Sequence, residues 1–179
     1  NTVNGKYIGA QFGGITNTSN GNVLGAQFAG ISNVANGNVT GAQMAGINNV
    51  ANGNLLGAQF GLINAAKAVT GFQLGLINIA ESYEKGVPLG LISFVKEGYH
   101  AIEVAGGESI YGNINVKLGV DELYTIYKVG FASNNSDNYI TYGLGLGSMY
   151  SLTDKAKVSL DLSASHIVQP NTFPRLDLL

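Results

Sequence analysis

The stretch Gly25-Ala26-Gln27-Phe28-Ala29-Gly30-Ile31 decides the fold, because it returns sixteen residues later as Gly41-Ala42-Gln43-Met44-Ala45-Gly46-Ile47. Internal repetition at a fixed period is the sequence signature of repeat architectures. The leading glycines of all six copies are Gly9, Gly25, Gly41, Gly57, Gly71 and Gly86, at spacings of 16, 16, 16, 14 and 15 residues. The repetition predicts an array of similar structural units.

Asn-Gly pairs separate the units, and they occur at Asn4-Gly5, Asn20-Gly21, Asn36-Gly37 and Asn52-Gly53. This dipeptide favours positive φ angles and therefore tight turns. Each unit is therefore predicted to be a β-segment of roughly seven to twelve residues followed by a turn.

Two all-β architectures can use a unit of about sixteen residues. In a β-solenoid each unit is one coil, and equivalent residues stack about 4.8 Å apart. In an antiparallel meander or barrel, a two-residue turn at Asn36-Gly37 would pair Ala35 with Asn38. That pairing would point Phe28 and Met44 to opposite faces, so no face would be consistently apolar without added bulges. The sequence therefore favours the solenoid and leaves the meander as the alternative.

The solenoid interpretation makes ladders of the repeated amide residues. The glutamines in question are Gln11, Gln27, Gln43, Gln59 and Gln73, and the asparagines are Asn17, Asn33 and Asn49. Stacked amides can hydrogen-bond along such a ladder, with a net contribution of about 0.5–1.5 kcal/mol per bond. We expect these eight residues to form the candidate binding face.

The bulk composition limits the classes of function. A formal net charge of −2 argues against a nucleic-acid partner, which requires a basic patch. The absence of cysteine excludes disulfides and thiolate metal sites. Charged residues make up only 11% of the chain, which suits a protein whose surface is partly hidden from water. Since no apolar run reaches about 18 residues, no transmembrane helix is expected.

The chain changes character near Gly98, so we divide it into a glycine-rich repeat array at 1–98 and an antiparallel β-meander at 99–179. Residues 1–80 carry only two charged residues, Lys6 and Lys67. Later segments alternate apolar and polar residues with a period of two, starting at Ile110, Tyr124, Tyr139 and Val158. Such one-sided strands are typical of a transmembrane barrel or of a soluble sheet covering the end of the solenoid. A closed barrel would need more chain than this.

No motif of catalysis or of metal or cofactor binding stands out. His100 and His166 lack partners at metal-ligand spacing. The S-x-x-K stretch at 93–96 has no companion motif, and the glycine-rich 143–147 is not followed by a predicted helix. The glutamates that could form a carboxylate pair are Glu81, Glu84, Glu103 and Glu108. We expect these to be solvated, and the protein to be neither an enzyme nor a cofactor carrier.

The pattern G-x-Q-x-G-[LI]-x-N, clearest at 71–78 (GFQLGLIN), resembles the surface-repeat proteins of Bacteroidota and leptospires. The stretches at 90–100 and 142–147 are similar to the segments C-terminal to the repeats in that family. Pro88 departs from the pattern, because it replaces the repeat glutamine and should end a glutamine ladder.

The resemblance implies a bacterial outer-membrane or cell-surface location and no known enzymatic role. We therefore expect a non-catalytic structural or binding scaffold. Its expected partners are envelope proteins or surface glycan, with outer-membrane lipid contact and no nucleic acid. An outer-membrane barrel element, as a passive pore or a subunit of an envelope complex, is the alternative function.

Overall fold

The computed structural model describes residues 1–106, 112–134, 137–153 and 156–168, which form sixteen strands and, within those ranges, no helix. The strands are β1 (Thr2–Val3), β2 (Tyr7–Gly13), β3 (Thr16–Ser19), β4 (Val23–Ala29), β5 (Ser32–Ala35), β6 (Val39–Ala45), β7 (Asn48–Ala51), β8 (Leu55–Phe60), β9 (Ile63–Leu74), β10 (Ile77–Leu89), β11 (Ile92–Val95), β12 (Tyr99–Ala105), β13 (Gly112–Val120), β14 (Leu123–Asn134), β15 (Asp137–Thr153) and β16 (Ala156–Val168).

The first eleven strands form a parallel β-solenoid. Each of the first coils contributes one short strand and one long strand. The short strands pair in the order β1-β3-β5-β7, and the long strands pair in the order β2-β4-β6-β8. β9 and β10 run through both rows, and β11 ends the row of short strands. Equivalent residues pair directly, as Gln27 does with Gln43. The predicted solenoid is confirmed, and parallel pairing rules out the meander for the repeats.

Coils can stack this closely because each long strand carries a glycine with positive φ. Gly41, for example, has a φ of 132°, which side-chain-bearing residues rarely adopt. A Cβ atom placed on it would lie 1.9 Å from the carbonyl oxygen of Gly25 in the preceding coil. The same positive φ recurs at the leading glycine of all six units, and from Gly25 onward the distance to the preceding coil also requires glycine.

The solenoid interior is filled by small apolar side chains and amides. One buried apolar row is Val23, Val39, Leu55 and Val69, and a second is Ala35, Ala51, Ala80 and Val95. The amide side chains occupy the remaining interior positions. Burial of these short side chains keeps the two rows of strands close together.

The last five strands form an antiparallel sheet in the order β12-β13-β14-β15-β16. Parallel pairing ends at Val95 and antiparallel pairing begins at Tyr99, which brackets the sequence change at Gly98. The predicted strand beginning at Ile110 is described only from Gly112, because residues 107–111, and with them Glu108, lie outside the described ranges. The other three predicted strands correspond to β14, β15 and β16.

Substitution of Gly41 by alanine should destabilise the solenoid by about 2–4 kcal/mol, because it adds backbone strain and a collision with the preceding coil. Gly14→Ala is the matched control, since a Cβ there meets no atom within 4 Å. Denaturant unfolding measures both variants. Equal stability of the two would contradict this account of the stacking.

Candidate functional site

The predicted glutamine ladder runs through the solenoid interior. Gln27 donates from Nε2 to Oε1 of Gln11 at 2.9 Å, and Gln43 donates to Gln27 at 2.8 Å. Gln59 and Gln73 continue the chain, with distances of 2.7 and 2.6 Å to the preceding glutamine. Every bond in the glutamine ladder points toward the N-terminal coil.

The asparagine ladder runs the opposite way. Asn17 donates from Nδ2 to Oδ1 of Asn33 at 3.0 Å, and Asn33 donates to Asn49 at the same distance. The ladder extends beyond the three predicted members through Asn64 and Asn78. Because the two rows of amide dipoles point in opposite directions, their fields largely cancel inside the solenoid.

Both ladders are buried, so the expectation that they form a binding face is wrong. Apart from Gln11, which is 4% exposed, all ladder amides have no exposed surface. Several of these amides also bond the backbone of the opposite row of strands, which holds them inside. Gln43 Nε2 donates to the carbonyl oxygen of Val50 at 3.2 Å, and Asn33 Nδ2 donates to that of Met44 at 2.9 Å. The ladders therefore join the two rows instead of contacting a partner.

In the last coil each ladder ends on a hydroxyl group instead of an amide. Pro88 pairs with Gln73 and carries no amide, as predicted, and the hydroxyl of Tyr83 donates to Gln73 Oε1 at 2.5 Å. Burial raises the pKa of the Tyr83 hydroxyl well above its usual range. At the end of the asparagine ladder, Asn78 Nδ2 lies 3.5 Å from Oγ of Ser93. Ser93 of the S-x-x-K stretch is therefore a buried structural residue.

A third amide ladder lies on the outside, at the corner that follows each short strand. Asn20 Nδ2 donates to Oδ1 of Asn4 at 2.7 Å, and Asn36 and Asn52 repeat the contact at 3.1 and 2.8 Å. These asparagines belong to the Asn-Gly pairs, so the predicted turn residues also link neighbouring coils.

The opposite corner of the coils is apolar, and we call it the apolar edge. Phe12 is 67% exposed, and its ring stacks on Phe28 with centroids 5.0 Å apart. Two rows make up the apolar edge: Phe12, Phe28, Met44, Phe60, Leu74 and Leu89, and Ile15, Ile31, Ile47, Leu62, Leu76 and Leu91. The repeats thus place amides inside and large apolar groups outside, the reverse of most soluble domains.

The antiparallel sheet also exposes an apolar face. Cross-strand pairs such as Ile114 with Val129, and Leu146 with Leu162, lie on this side. Its most exposed members include Val104 at 80% and Leu162 at 81%. No described side chain of Lys, Arg, Asp or Glu on these strands lies on the apolar face. Exposed apolar areas of this extent are uncommon on monomeric soluble proteins.

The other face of the sheet holds a charged cluster. Lys117 on β13 donates to Glu103 on β12 at 2.6 Å and to Asp161 on β16 at 2.7 Å. The Tyr124 hydroxyl on β14 donates to the second oxygen of Asp161 at 2.5 Å. In a flat sheet β13 and β16 would lie about 14 Å apart. The sheet therefore curls toward this polar face, and the apolar face is convex.

Glycines on β15 let the cluster reach β16. A Cβ on Gly147 would lie 2.2 Å from a ring carbon of Tyr124 and 2.4 Å from Oδ1 of Asp161. Gly143 and Gly145 occupy the same face, next to Ser165 and Ser163. The stretch 143–147 therefore lies within a strand, where its glycines clear space for side chains, and is not a phosphate-binding loop.

The cluster shifts the pKa values of Asp161, Lys117 and Tyr124. For Asp161, burial acts to raise the pKa of the carboxyl, but hydrogen bonds from Lys117 and Tyr124 outweigh it and the pKa is lowered. For Lys117, burial acts to lower the pKa, and the bonds to Asp161 and Glu103 raise it above its usual range. Burial, followed by the bond to Asp161, raises the pKa of Tyr124 to about 12. The cluster is held as one cation between two carboxylates.

The remaining sequence candidates have separate structural partners. A ring nitrogen of His100 lies 2.6 Å from the carbonyl oxygen of Val95, and the His166 ring packs against Tyr142. Glu84 accepts a bond from Thr70 on the solenoid, while Glu103 belongs to the Lys117 cluster. Within the described ranges no three His, Asp or Glu side chains gather as metal ligands would.

The fold and these surfaces define a class: a parallel β-solenoid with an amide interior and an apolar edge, continued by a curled antiparallel sheet. No family model, no curated protein and no solved structure matches the chain. The residues that the structure describes contain no helical segment capable of crossing a bilayer.

Replacement of Gln43 by glutamate should destabilise the fold by about 3 kcal/mol or more at pH 7, because it buries a carboxylate within the ladder. The folded state would raise the pKa of that carboxyl above its unfolded value of about 4.3, so part of the stability should return as the pH falls through the raised pKa toward 4.3. Asn36→Asp in the exposed ladder is the control, with an expected cost of about 0.5 kcal/mol or less. Denaturant unfolding at pH 7 and pH 4 measures both, and equal losses would contradict an interior role.

Replacement of Lys117 by methionine should cost about 1–3 kcal/mol at pH 7, because it leaves two partly buried carboxylates unpaired. The wild-type cluster stabilises the fold above the ordinary carboxyl pKa, and this contribution is lost as the pH falls through the lowered pKa of Asp161. The variant should therefore lose less stability on acidification. Lys157→Met, which breaks the exposed pair with Asp121, should cost under about 1 kcal/mol. A Lys117→Met variant whose free energy of unfolding depends on pH as the wild type's does would contradict this prediction.

Proposed function

We propose that this chain is a non-catalytic scaffold of the bacterial outer membrane, held there by the convex apolar face of its antiparallel sheet. The solenoid would be the rigid part of the scaffold and the curled sheet its membrane-facing part. The resemblance of the G-x-Q-x-G-[LI]-x-N units to envelope surface-repeat proteins supports the bacterial location.

The observation that carries the proposal is the separation of polar and apolar side chains on the two faces of the sheet. The described charged side chains of its strands, namely Glu103, Lys117, Lys128, Lys157 and Asp161, share the concave face. Apolar side chains alternate with them onto the convex face. Transmembrane strands show this dyad alternation, with apolar residues toward lipid and polar residues toward the lumen.

The length of the apolar band also fits a bilayer. On β15 the convex face carries exposed apolar side chains from Ile140 to Leu152, interrupted only by Ser148. That span is about 40 Å along the strand and about 28 Å when tilted by about 45°, close to the bilayer core thickness of about 30 Å.

The charged groups of the molecule support a structural role instead of catalysis. Lys117 pairs with both Glu103 and Asp161 and so holds β12, β13 and β16 together. Glu84 bonds Thr70 on a different sheet. A hydrolytic carboxylate pair would have to flank one bound substrate, whereas Glu103 and Asp161 flank the ammonium of Lys117 and Glu84 bonds Thr70.

Single tryptophans in vesicles made with brominated lipid test the membrane contact, because the chain has no tryptophan of its own. Leu160→Trp places the indole on the convex face, where Leu160 is 73% exposed. Bromine should quench most of its fluorescence. Ser165→Trp, on the same strand but the opposite face, is the matched control and should be quenched far less.

Equal quenching at the two positions would overturn the assignment of the convex face to lipid. A full chain that stays monomeric in buffer and does not float with vesicles would overturn the membrane location. In that case the apolar face would instead contact a partner protein. An envelope protein would then capture the wild-type chain but not Leu160→Lys.

A further inference from the structure

The last coil of the solenoid meets the apolar face of the sheet in a groove. Thr125 on β14 donates from Oγ1 to the carbonyl oxygen of Gly90 at 3.2 Å. Two residues further along the same strand, the Tyr127 hydroxyl donates to the carbonyl oxygen of Leu91. These two bonds fix the position of the solenoid corner against the sheet, so the groove beside them is preformed.

The groove has a volume of about 510 Å³ and an almost wholly apolar lining. Its walls are Leu91 from the solenoid and Thr125, Leu144, Leu146, Leu162 and Ala164 from the sheet. The volume falls in the range of about 300–1,000 Å³ typical of small-ligand sites. None of the described residues that line it is charged.

Ala164 keeps the groove open. It pairs with Leu144 and follows Leu160 and Leu162 on the same face of β16. A larger side chain at this position would project into the space between Leu91 and the sheet. The groove therefore depends on one small residue in a row of leucines.

The lining favours a hydrocarbon chain over a peptide. An extended peptide brings backbone N–H and C=O groups that need partners when buried, and peptide-binding grooves supply them from a sheet edge. Here the walls are side chains on a sheet face. The Thr125 hydroxyl already bonds Gly90, and the Ser163 hydroxyl accepts a bond from Lys128. Thr125 and Ser163 are the polar side chains of the described lining and both already make a hydrogen bond, so the groove offers a peptide backbone few partners.

We propose that this groove holds one acyl chain of a membrane lipid, with the lipid headgroup outside it. The inference rests on the proposed membrane function, because Leu144, Leu146 and Leu162 belong both to the groove and to the convex face. Leu91 is the last member of the apolar edge, so the groove joins the two apolar surfaces. An acyl chain there would fill the angle between solenoid and sheet.

Native mass spectrometry of the full chain in a short-tailed nonionic detergent tests the site, with palmitoyl lysophosphatidylcholine as the probe. The wild type should retain one probe molecule per chain. Ala164→Phe should reduce retention at least tenfold, and Ser165→Phe, at the next residue but on the opposite, concave face, should leave it unchanged. Ala164→Leu gives a milder filling of the groove should the phenylalanine variant not fold.

Equal retention by the wild type and a folded Ala164 variant, or displacement of the probe by an apolar peptide, would overturn the lipid site. Its failure is distinguishable from failure of the proposed function. If the probe is not retained but brominated lipid still quenches the fluorescence of Leu160→Trp, the groove assignment fails and the proposed membrane role holds. Retention of one probe without quenching would show a lipid-binding groove on a protein that lies outside the bilayer.

Discussion

The solenoid depends on amide side chains that bond to their own equivalents in the next coil. Each such bond contributes only about 0.5–1.5 kcal/mol net, whereas a buried amide left without its partners costs about 1–3 kcal/mol. A slip of one residue between coils would orphan every member of the glutamine and asparagine ladders at once. The ladders therefore specify register more strongly than they add stability, because only in-register stacking satisfies them.

The amide interior accounts for the composition of the outside. Two amide rows and two rows of valine or alanine fill the space between the short and long strands. Apart from Leu55, the large aliphatic and phenylalanine side chains of the repeats lie outside this interior, many of them at the apolar edge. The solenoid built in this way exposes an apolar edge, and the antiparallel sheet exposes an apolar convex face. The two apolar surfaces meet at Leu91.

The periodicity of the sequence favoured the parallel solenoid, since the parity of an Asn-Gly hairpin conflicts with a sixteen-residue repeat, but a meander with bulged loops stayed possible until the parallel pairing was seen. The inward direction of the glutamines was not predictable, because glutamine is usually exposed. Asn64 and Asn78 were missed as ladder members because the repeat shortens to 14 and 15 residues there. The Lys117 cluster could not be predicted, since it joins strands far apart in sequence over the glycines of β15.

The end of the repeat shows how the solenoid gives way to the antiparallel sheet. Pro88 removes the next glutamine, and the Tyr83 hydroxyl takes the open acceptor of Gln73. Ser93, shorter than asparagine, closes the second ladder. With no interior amide left to template a further coil, the chain after Val95 is free to change its direction of pairing. Val120 of the sheet then packs against the buried core of the solenoid, which covers an end that would otherwise be an open edge. Pro88 and Ser93, which replace the repeat amides and end the ladders, thus let the sheet lie against the last coil. Thr125 and Tyr127 of the sheet bond that coil.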